Sequence, residues 1–264
     1  MNNTFNAKRF GLLFKKTLLE RPVQMFGFAG LLLAVVLILY VTAKVIGGFG
    51  AAQNLTFIWG LLLSSCFFAS IVFGYFSTNA SGSSYLTLPA SHFEKWLCGV
   101  LIAGVLYPVI FMIFYRIIDS SFVALFHNGL DPSSPFYKEQ FESVYLFDFN
   151  GVIAWKVYSM FFLLTGISFV GSLYFNKIPF IKVAIAICIL LIFIVGFNLL
   201  LAKMIFGNIV DAGPFNHVTI PVGKEEASIE LPDRVGKIFY YSLSYILPVV
   251  LWLLAFTRLR EKEF

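Results

Sequence analysis

The residues capable of acid–base or metal chemistry are few and lie far apart along this chain. The histidines occupy three separate segments between long apolar runs: His92, His127 and His217. Three acidic residues share one polar segment without a nucleophile or base at a suitable spacing: Glu139, Glu142 and Asp148. A catalytic zinc needs about three converging protein ligands, and catalysis needs a nucleophile or proton donor within reach of a partner. The sequence therefore predicts no enzyme, no metal and no cofactor, and the acidic residues are interpreted as a solvated face.

Redox chemistry and ATP hydrolysis are not predicted either. Cys66, Cys98 and Cys188 form no CxxC or Cys/His pattern and lie in or beside apolar runs, so they are interpreted as free thiols that pack as small apolar residues. No GxxxxGK[ST] phosphate-binding loop occurs, because the Gly-Lys pairs of the chain lack the upstream glycine and the following serine or threonine. Any ATP-driven activity would require a separate ATPase chain.

Ser91 and Glu94 have the spacing of a capping box at the start of a helix. The Ser91 hydroxyl can accept a hydrogen bond from the Glu94 amide, and the Glu94 carboxylate can accept one from the Ser91 amide. Pro89 stops a preceding helix from running through this point. We therefore predict that a helix begins at about His92, preceded by a short structured element within 77–95.

The segment 5–21 has the pattern of an amphipathic helix. Its apolar residues follow the helical spacing i, i+3, i+4, i+7, i+8: Phe10, Leu13, Phe14, Thr17 and Leu18. Its basic residues lie off that stripe: Lys8, Arg9, Lys15 and Lys16. Such a helix, ended by Pro22, is expected to lie in the membrane interface with its apolar face toward lipid. It would act either as a topology anchor or as a lever between a cytoplasmic partner and the first span.

The elements that must position these residues are transmembrane helices. Of the 264 residues, 59% are hydrophobic and 12% charged, whereas soluble domains have about 25% charged residues. Six runs approach or exceed the roughly 20 residues that cross a ~30 Å hydrocarbon core: 25–46, 55–76, 96–118, 153–175, 183–206 and 237–257. Backbone groups in lipid must bond within their own segment. The sequence thus predicts an all-α polytopic integral membrane protein, a single membrane domain over 1–264 with six transmembrane helices after the interfacial helix.

The distribution of basic residues predicts the orientation. The N-terminus, the loops 77–95 and 176–182 and the C-terminal tail together have 11 basic and 4 acidic residues, whereas the other side has 8 basic and 10 acidic. The positive-inside rule places the first side, with both termini, in the cytoplasm. The net charge of +5 is then explained by topology and anionic lipid rather than by nucleic acid. A bacterial inner (plasma) membrane is the predicted location.

Two long loops, 127–152 and 207–236, are predicted to be external, and the connection 47–54 to be a short external loop. Alternating apolar residues on both sides of Gly223-Lys224, from Val218 to Leu231, predict a small β-hairpin in the second long loop.

Polar residues within the spans are interpreted mainly as anchors. Lys44, Arg116, Asp119 and Lys203 fall near external span ends, where snorkelling suffices, and Arg116 and Asp119 have a spacing that allows an ion pair. Asn198 lies deeper and could bond to another helix. No span has the chain of Asp, Glu or His expected of a proton-coupled transporter.

The segment Leu88-Pro89-Ala90-Ser91-His92-Phe93-Glu94-Lys95, placed after two spans, resembles the cytoplasmic loop of ABC-2-type transporter permease subunits. The interfacial helix, the six spans and the lack of an ATPase motif are also similar to that family. One departure is His92, where many family members have a basic residue after the serine.

This resemblance implies a membrane-spanning permease subunit of an exporter, driven by a separate ABC ATPase subunit. It implies that partner coupling involves Leu88, Pro89, Ala90, Ser91, Glu94 and Lys95, next to the interfacial helix with Lys8, Arg9, Phe10, Leu13, Phe14, Lys15, Lys16 and Leu18. Expected partners are the ATPase, a second permease in a homodimer or heterodimer, and the lipid bilayer, but not nucleic acid. Two alternatives stay open: a non-transporting membrane protein (assembly, immunity or sensor role) that acts through its external loops, and an enzyme that uses the external Asp, Glu and His residues.

Overall fold

The structure, a computed structural model, is mostly helical. It describes residues 5–20, 22–72, 74–77, 79–175, 179–213, 217–222, 225–230, 237–238 and 240–262. Five helical segments in these ranges are long and apolar enough to cross a membrane: Met25–Val72, His92–Asn128, Val152–Tyr174, Phe180–Phe206 and Ser242–Glu261. The chain is a multi-pass membrane protein by this measure.

The first of these segments is a helical hairpin. Helix α1 (Ala7–Leu19) precedes it, and a π-helical turn (Val23–Gly27) leads into α2 (Phe28–Val72). A straight helix of 45 residues would measure about 68 Å, more than twice the hydrocarbon thickness. Gly48 interrupts it with φ 76° and ψ −171°, a conformation that glycine adopts without strain. The Phe28 and Phe67 rings lie 5.9 Å apart, so the two arms pack antiparallel.

This hairpin corrects the predicted short loop 47–54. The residues on both sides of Gly48 are helical, because one glycine reverses the chain where a loop of several residues was expected. The apposed arms come close enough that a methyl group added at Gly60 would lie 3.3 Å from Val36.

The next part of the chain places two short elements before a long helix. A 3₁₀ turn (Gly74–Ser77) and α3 (Asn79–Leu86) are followed by α4 (His92–Leu101), a π-helical turn (Ile102–Leu106) and α5 (Tyr107–Asn128). The π turn adjoins Pro108, which has no N–H to donate to the preceding turn. The helix extends ten residues beyond the predicted end of the third span at 118, because Asp119 is satisfied by hydrogen bonds and does not end it.

The remaining helices complete the bundle. They are α6 (Tyr137–Glu142), α7 (Val152–Tyr174), α8 (Pro179–Phe206) and, after a π turn (Ser242–Ile246), α9 (Leu247–Glu261). Two buried clusters hold the bundle together. The α1-side core includes Leu13, Phe68, Tyr107 and Leu259, and the loop-side core is mainly aromatic, with Phe57, Phe111, Tyr115 and Phe147.

Helix α8 is joined to the bundle at few points. Val183 and Ala202 are its buried residues in the described chain, whereas most of its apolar side chains are exposed. At its far end, the Asn198 side-chain amide donates to the Ala212 carbonyl at 3.0 Å. The predicted bond from Asn198 to another helix is therefore replaced by a bond to a strand.

That strand belongs to a three-stranded antiparallel sheet: β1 (Asp211–Ala212), β2 (His217–Val222) and β3 (Glu225–Glu230). The predicted hairpin is confirmed, since Val218 pairs with Ile229 and Val222 with Glu225. Gly223-Lys224 and Leu231 lie outside the described residues.

Trp252 of α9 fits between two glycines of neighbouring helices. A methyl group added at Gly104 would come within 2.5 Å of its ring, and one added at Gly166 within 2.9 Å. The indole N–H donates to the Phe162 carbonyl at 3.0 Å. The Trp252 ring therefore joins α9 to α7 and to the π turn before α5.

Gly104→Ala is expected to destabilise the protein by about 1–3 kcal/mol, the range for overpacking a filled interior. Gly196→Ala on α8 is the matched control, because nothing lies within 4 Å of its added methyl and alanine favours a helix by up to about 1 kcal/mol over glycine. Unfolding in detergent, followed by tryptophan fluorescence, measures both. Equal stability of the two variants would contradict the packing of Trp252 against Gly104.

Candidate functional site

The two segments singled out in the sequence meet at Glu94, in the first turn of α4. Its side chain is 0% exposed. One carboxylate oxygen, Oε2, accepts from the Ser91 amide at 2.8 Å, and the Glu94 amide donates to the Ser91 hydroxyl at 3.2 Å. The predicted capping box is therefore confirmed, and the helix begins at His92 as expected.

The other carboxylate oxygen, Oε1, binds the start of α1. It accepts from the Asn6 amide at 2.8 Å and from Arg9 Nη2 at 3.1 Å. Asn6 also caps α1, because its side-chain oxygen accepts from the amides of Lys8 and Arg9. Each oxygen of Glu94 thus serves a different segment, and the charge-assisted bond to Arg9 is of the stronger kind. We call these four residues, Asn6, Arg9, Ser91 and Glu94, the Glu94 node.

Lys95 makes a second connection beside the node. It is fully buried, and its Nζ donates to the Leu86 carbonyl at the end of α3, at 2.7 Å. The Nζ also lies 5.9 Å from the centre of the Tyr85 ring. Burial raises the pKa of the Tyr85 hydroxyl well above its usual range, so this ring is neutral. Lys95 therefore joins α3 to α4 as Glu94 joins α1 to α4.

The predicted coupling segment forms one wall of a surface notch. Ala90 is buried and Pro89 exposed, while Leu88 packs partly against the α1-side core. Together with four α1 residues, these side chains line a cavity of about 160 Å³: Arg9, Leu12, Leu13, Lys16, Leu88, Pro89 and Ala90. Leu12 is 70% exposed at its edge. The notch therefore combines apolar walls with two basic side chains.

The apolar stripe of α1 contacts protein. Leu13 and Thr17 are buried, and Phe10, Phe14 and Leu18 pack partly against the α1-side core. Of the basic residues, Lys8 and Lys15 are exposed, and Lys16 lies 4.0 Å from Glu20. The stripe was expected to face lipid, but the first turns of α4 cover its central residues, and Cys98 Sγ lies 3.6 Å from Thr17 Oγ1.

A second buried carboxylate, Asp119, lies at the opposite end of the bundle. It accepts from the Tyr40 hydroxyl at 2.7 Å, the Gln53 side-chain amide at 2.9 Å and the Phe147 backbone amide at 2.8 Å. The same Gln53 amide donates to the Tyr145 carbonyl at 2.6 Å. Asp119 therefore fixes the segment 143–149, part of the predicted external loop 127–152, against both arms of α2.

The predicted pair between Arg116 and Asp119 is not formed. The Arg116 guanidinium lies 4.2 Å from the centre of the Phe149 ring, while Asp119 turns toward its three donors. Sequence reasoning treated Asp119 as an interfacial anchor and missed Tyr40 and Gln53. Tyr40 and Gln53 are polar residues within apolar helical runs, and this is the signal that could have indicated a buried hydrogen-bond partner.

The remaining polar candidates do not converge. His127 Nε2 lies 3.2 Å from the Phe141 carbonyl and 3.1 Å from that of Val144, so it fastens α6 to the end of α5. His217 lies 3.6 Å from Asp211 in the sheet. No group of three or more His, Cys, Asp or Glu side chains in the described chain is arranged to hold a metal ion.

Comparisons with models of protein families, with curated proteins and with solved structures give no match for this chain.

Proposed function

We propose that this chain is the membrane-spanning permease subunit of an ABC-2-type exporter, driven by a separate ATPase subunit. The observation that carries the proposal is the Glu94 node, in which one buried carboxylate joins α1 to the start of α4. These are the two segments through which the family resemblance implies contact with an ATPase. Because these two segments are bonded to each other, we favour a unit that transmits force between them, rather than two independent anchors.

The proposed topology has six spans. The two arms of α2 are the first and second spans. The continuous helix α4–α5 and the helices α7, α8 and α9 supply the other four. Helix α1 lies in the interface with Lys8 and Lys15 toward the headgroups, and both termini are cytoplasmic because that side has the excess of basic residues. A bacterial inner membrane accommodates this arrangement, and a dimer with an identical or a different permease completes the pathway.

Coupling would proceed through the notch. An apolar side chain of the ATPase, flanked by acidic groups that complement Arg9 and Lys16, fits its lining. A displacement of the segment Leu88–Ala90 is passed to α4 by the Ser91–Glu94 box and to α1 by the Arg9–Glu94 bond. Because Glu94 and Lys95 are buried and bonded, this unit moves as one body.

Leu12→Glu is expected to lower the amount of ATPase that co-purifies in mild detergent by about tenfold or more, because removing an apolar hot-spot contact costs at least about 1.4 kcal/mol. Leu19→Glu is the matched control on the same helix, since Leu19 is exposed outside the notch. Mass spectrometry of the purified complex identifies the ATPase and measures its stoichiometry. Absence of any ATPase from the wild-type preparation, under conditions that preserve an established permease complex, would contradict the proposal.

A non-transporting membrane protein is the second candidate, and the segment 143–149 favours it. A cavity of about 450 Å³ lies between this segment and the α2 hairpin, lined by Gln53, Asn54, Tyr145 and Asp148 among others. If this candidate is correct, deleting 218–231 abolishes the protein's activity, whereas substitutions in the notch leave that activity unchanged. The opposite pattern would exclude it.

A further inference from the structure

An apolar slot runs along the membrane-facing flank of the bundle. It has a volume of about 380 Å³, the size of a small-ligand site, and lies between the α4 end of the long helix, α7 and α9. Its residues include Trp96, Gly104, Phe162, Val249 and Trp252, and it has no charged side chain. Trp96, Val100, Gly104 and Val105 line one wall. Nine residue steps separate Trp96 from Val105, so the slot is about 14 Å long.

Two of the three π-helical turns in the described chain border this slot. Gly104 and Val105 belong to the π turn before Pro108, and Ser244 and Tyr245 belong to the one before Pro248. π turns are frequent where a helix forms a binding site. The missing Cβ of Gly104 leaves room for the Trp252 ring, which forms part of the slot's floor.

Packed aromatic residues lie next to the slot on the α1 side. Phe93 lies 6.2 Å from Phe256, and Trp96 lies 5.7 Å from it. His92 and Arg260 follow one helical turn beyond Trp96 and Phe256, and Arg260 lies 6.0 Å from the Phe256 ring. The Arg260 guanidinium and the His92 imidazole thus lie together at the α1-side end of the slot.

The Arg260 charge is not neutralised by a carboxylate of the described chain. The nearest acid along α4, Glu94, is hydrogen-bonded to Arg9 and Asn6. Glu261, on α9, forms an ion pair with Arg258 at 3.6 Å. The His92 Nδ1 is buried without a hydrogen-bond partner among the described residues. Arg260 is exposed. Burial of His92 and the positive charges of Lys95 and Arg260 favour the uncharged imidazole, which can donate one N–H.

We propose that this slot binds one anionic phospholipid of the α1-side leaflet, with an acyl chain lying against Trp96 and Trp252 and the phosphate at Arg260 and the His92 imidazole. The apolar length suits a chain, and a cationic end without a counter-ion suits a phosphate, which a guanidinium binds through paired N–H groups. Basic pockets between transmembrane helices bind anionic headgroups in this way. The site is separate from the notch and does not depend on an ATPase partner.

Quenching of tryptophan fluorescence by lipids with brominated chains tests the site. The background variant Trp59→Phe/Trp155→Phe removes two exposed indoles and leaves Trp96 and Trp252 in the slot. It is reconstituted in phosphatidylcholine vesicles that contain increasing fractions of brominated phosphatidylglycerol or brominated phosphatidylcholine. Brominated phosphatidylglycerol is expected to reach half-maximal quenching at a mole fraction at least about fivefold lower, the factor that about 1 kcal/mol per basic group near the surface represents.

Arg260→Gln should remove this preference and retain the bulk quenching by both lipids. Arg258→Gln is the matched control and should preserve the preference, because Arg258 pairs with Glu261 and lies 4.4 Å from the Tyr174 ring, away from the slot. Equal quenching by the two lipids, or a preference that survives Arg260→Gln, would overturn the proposal. Absence of quenching by both would also overturn it, since the slot would then be covered by protein, such as a second copy of the chain.

Discussion

Glu94→Gln is expected to destabilise the protein by about 3 kcal/mol, toward the lower end for a broken buried ion pair because Arg9 is 32% exposed. Glutamine has the shape of glutamate but only one acceptor oxygen. The amide must therefore turn its NH₂ toward either the Ser91 amide or the pair formed by Asn6 and Arg9, and a donor then faces a donor. Thermal or denaturant unfolding in detergent measures the loss.

Glu20→Gln is the control for Glu94→Gln. Glu20 and Lys16 are 4.0 Å apart and each 40% exposed. The glutamine oxygen can still accept the hydrogen bond that the Tyr75 hydroxyl donates to Glu20, so the change is expected to cost less than about 0.5 kcal/mol. In a complex with an ATPase, Glu94→Gln should also uncouple ATP hydrolysis from the permease, while hydrolysis itself continues. A Glu94→Gln variant as stable as the wild type would show that the node contributes nothing.

Asp119→Ala is expected to release the segment 143–149 and to destabilise the protein by about 2–6 kcal/mol. Two buried donors, the Tyr40 hydroxyl and the Phe147 amide, lose their acceptor, and each unsatisfied group costs about 1–3 kcal/mol. The Gln53 amide keeps its bond to the Tyr145 carbonyl. In the wild type, the Phe147 amide donates to Asp119. Hydrogen exchange measured by mass spectrometry should show that this amide loses its protection in the variant.

The control for Asp119→Ala is Asp131→Ala. Asp131 lies in the same predicted external loop, but its side chain accepts from Ser133 alone on an exposed turn. Protection of the segment 143–149 should stay unchanged in this variant. If Asp119→Ala also left that protection intact, the segment would be held by its aromatic contacts with Phe57 and Tyr115 rather than by the carboxylate.

The features predictable from the sequence are local ones. Hydrophobic runs located the long helices, and the Ser91/Glu94 spacing and the alternation around Gly223-Lys224 predicted the helix start and the strand pairing that the structure contains. Each of these patterns involves residues within a few positions of one another, where backbone geometry fixes which side chains meet.

The features that sequence reasoning missed join residues far apart in the chain. Glu94 was assigned to its capping box and Arg9 to the membrane surface, yet they bond across 85 positions. The spacing of Arg116 and Asp119 allowed a local pair, but three donors from other segments compete better for that carboxylate. The contacts of Trp252 with Gly104 and Gly166 join helices that are far apart in the chain. Periodicity identifies a buried face but not what covers it.

The single-residue turn at Gly48 has a consequence for the order in which the protein is made. The two arms of α2 meet through contacts close in sequence, so the hairpin has a low contact order and closes early. The Arg9–Glu94 bond closes a much longer loop, with a larger entropic cost, and has no acceptor until residue 94 has been synthesised. Helix α1 therefore stays undocked while the hairpin enters the membrane, and it can dock only after about the first third of the chain has been synthesised.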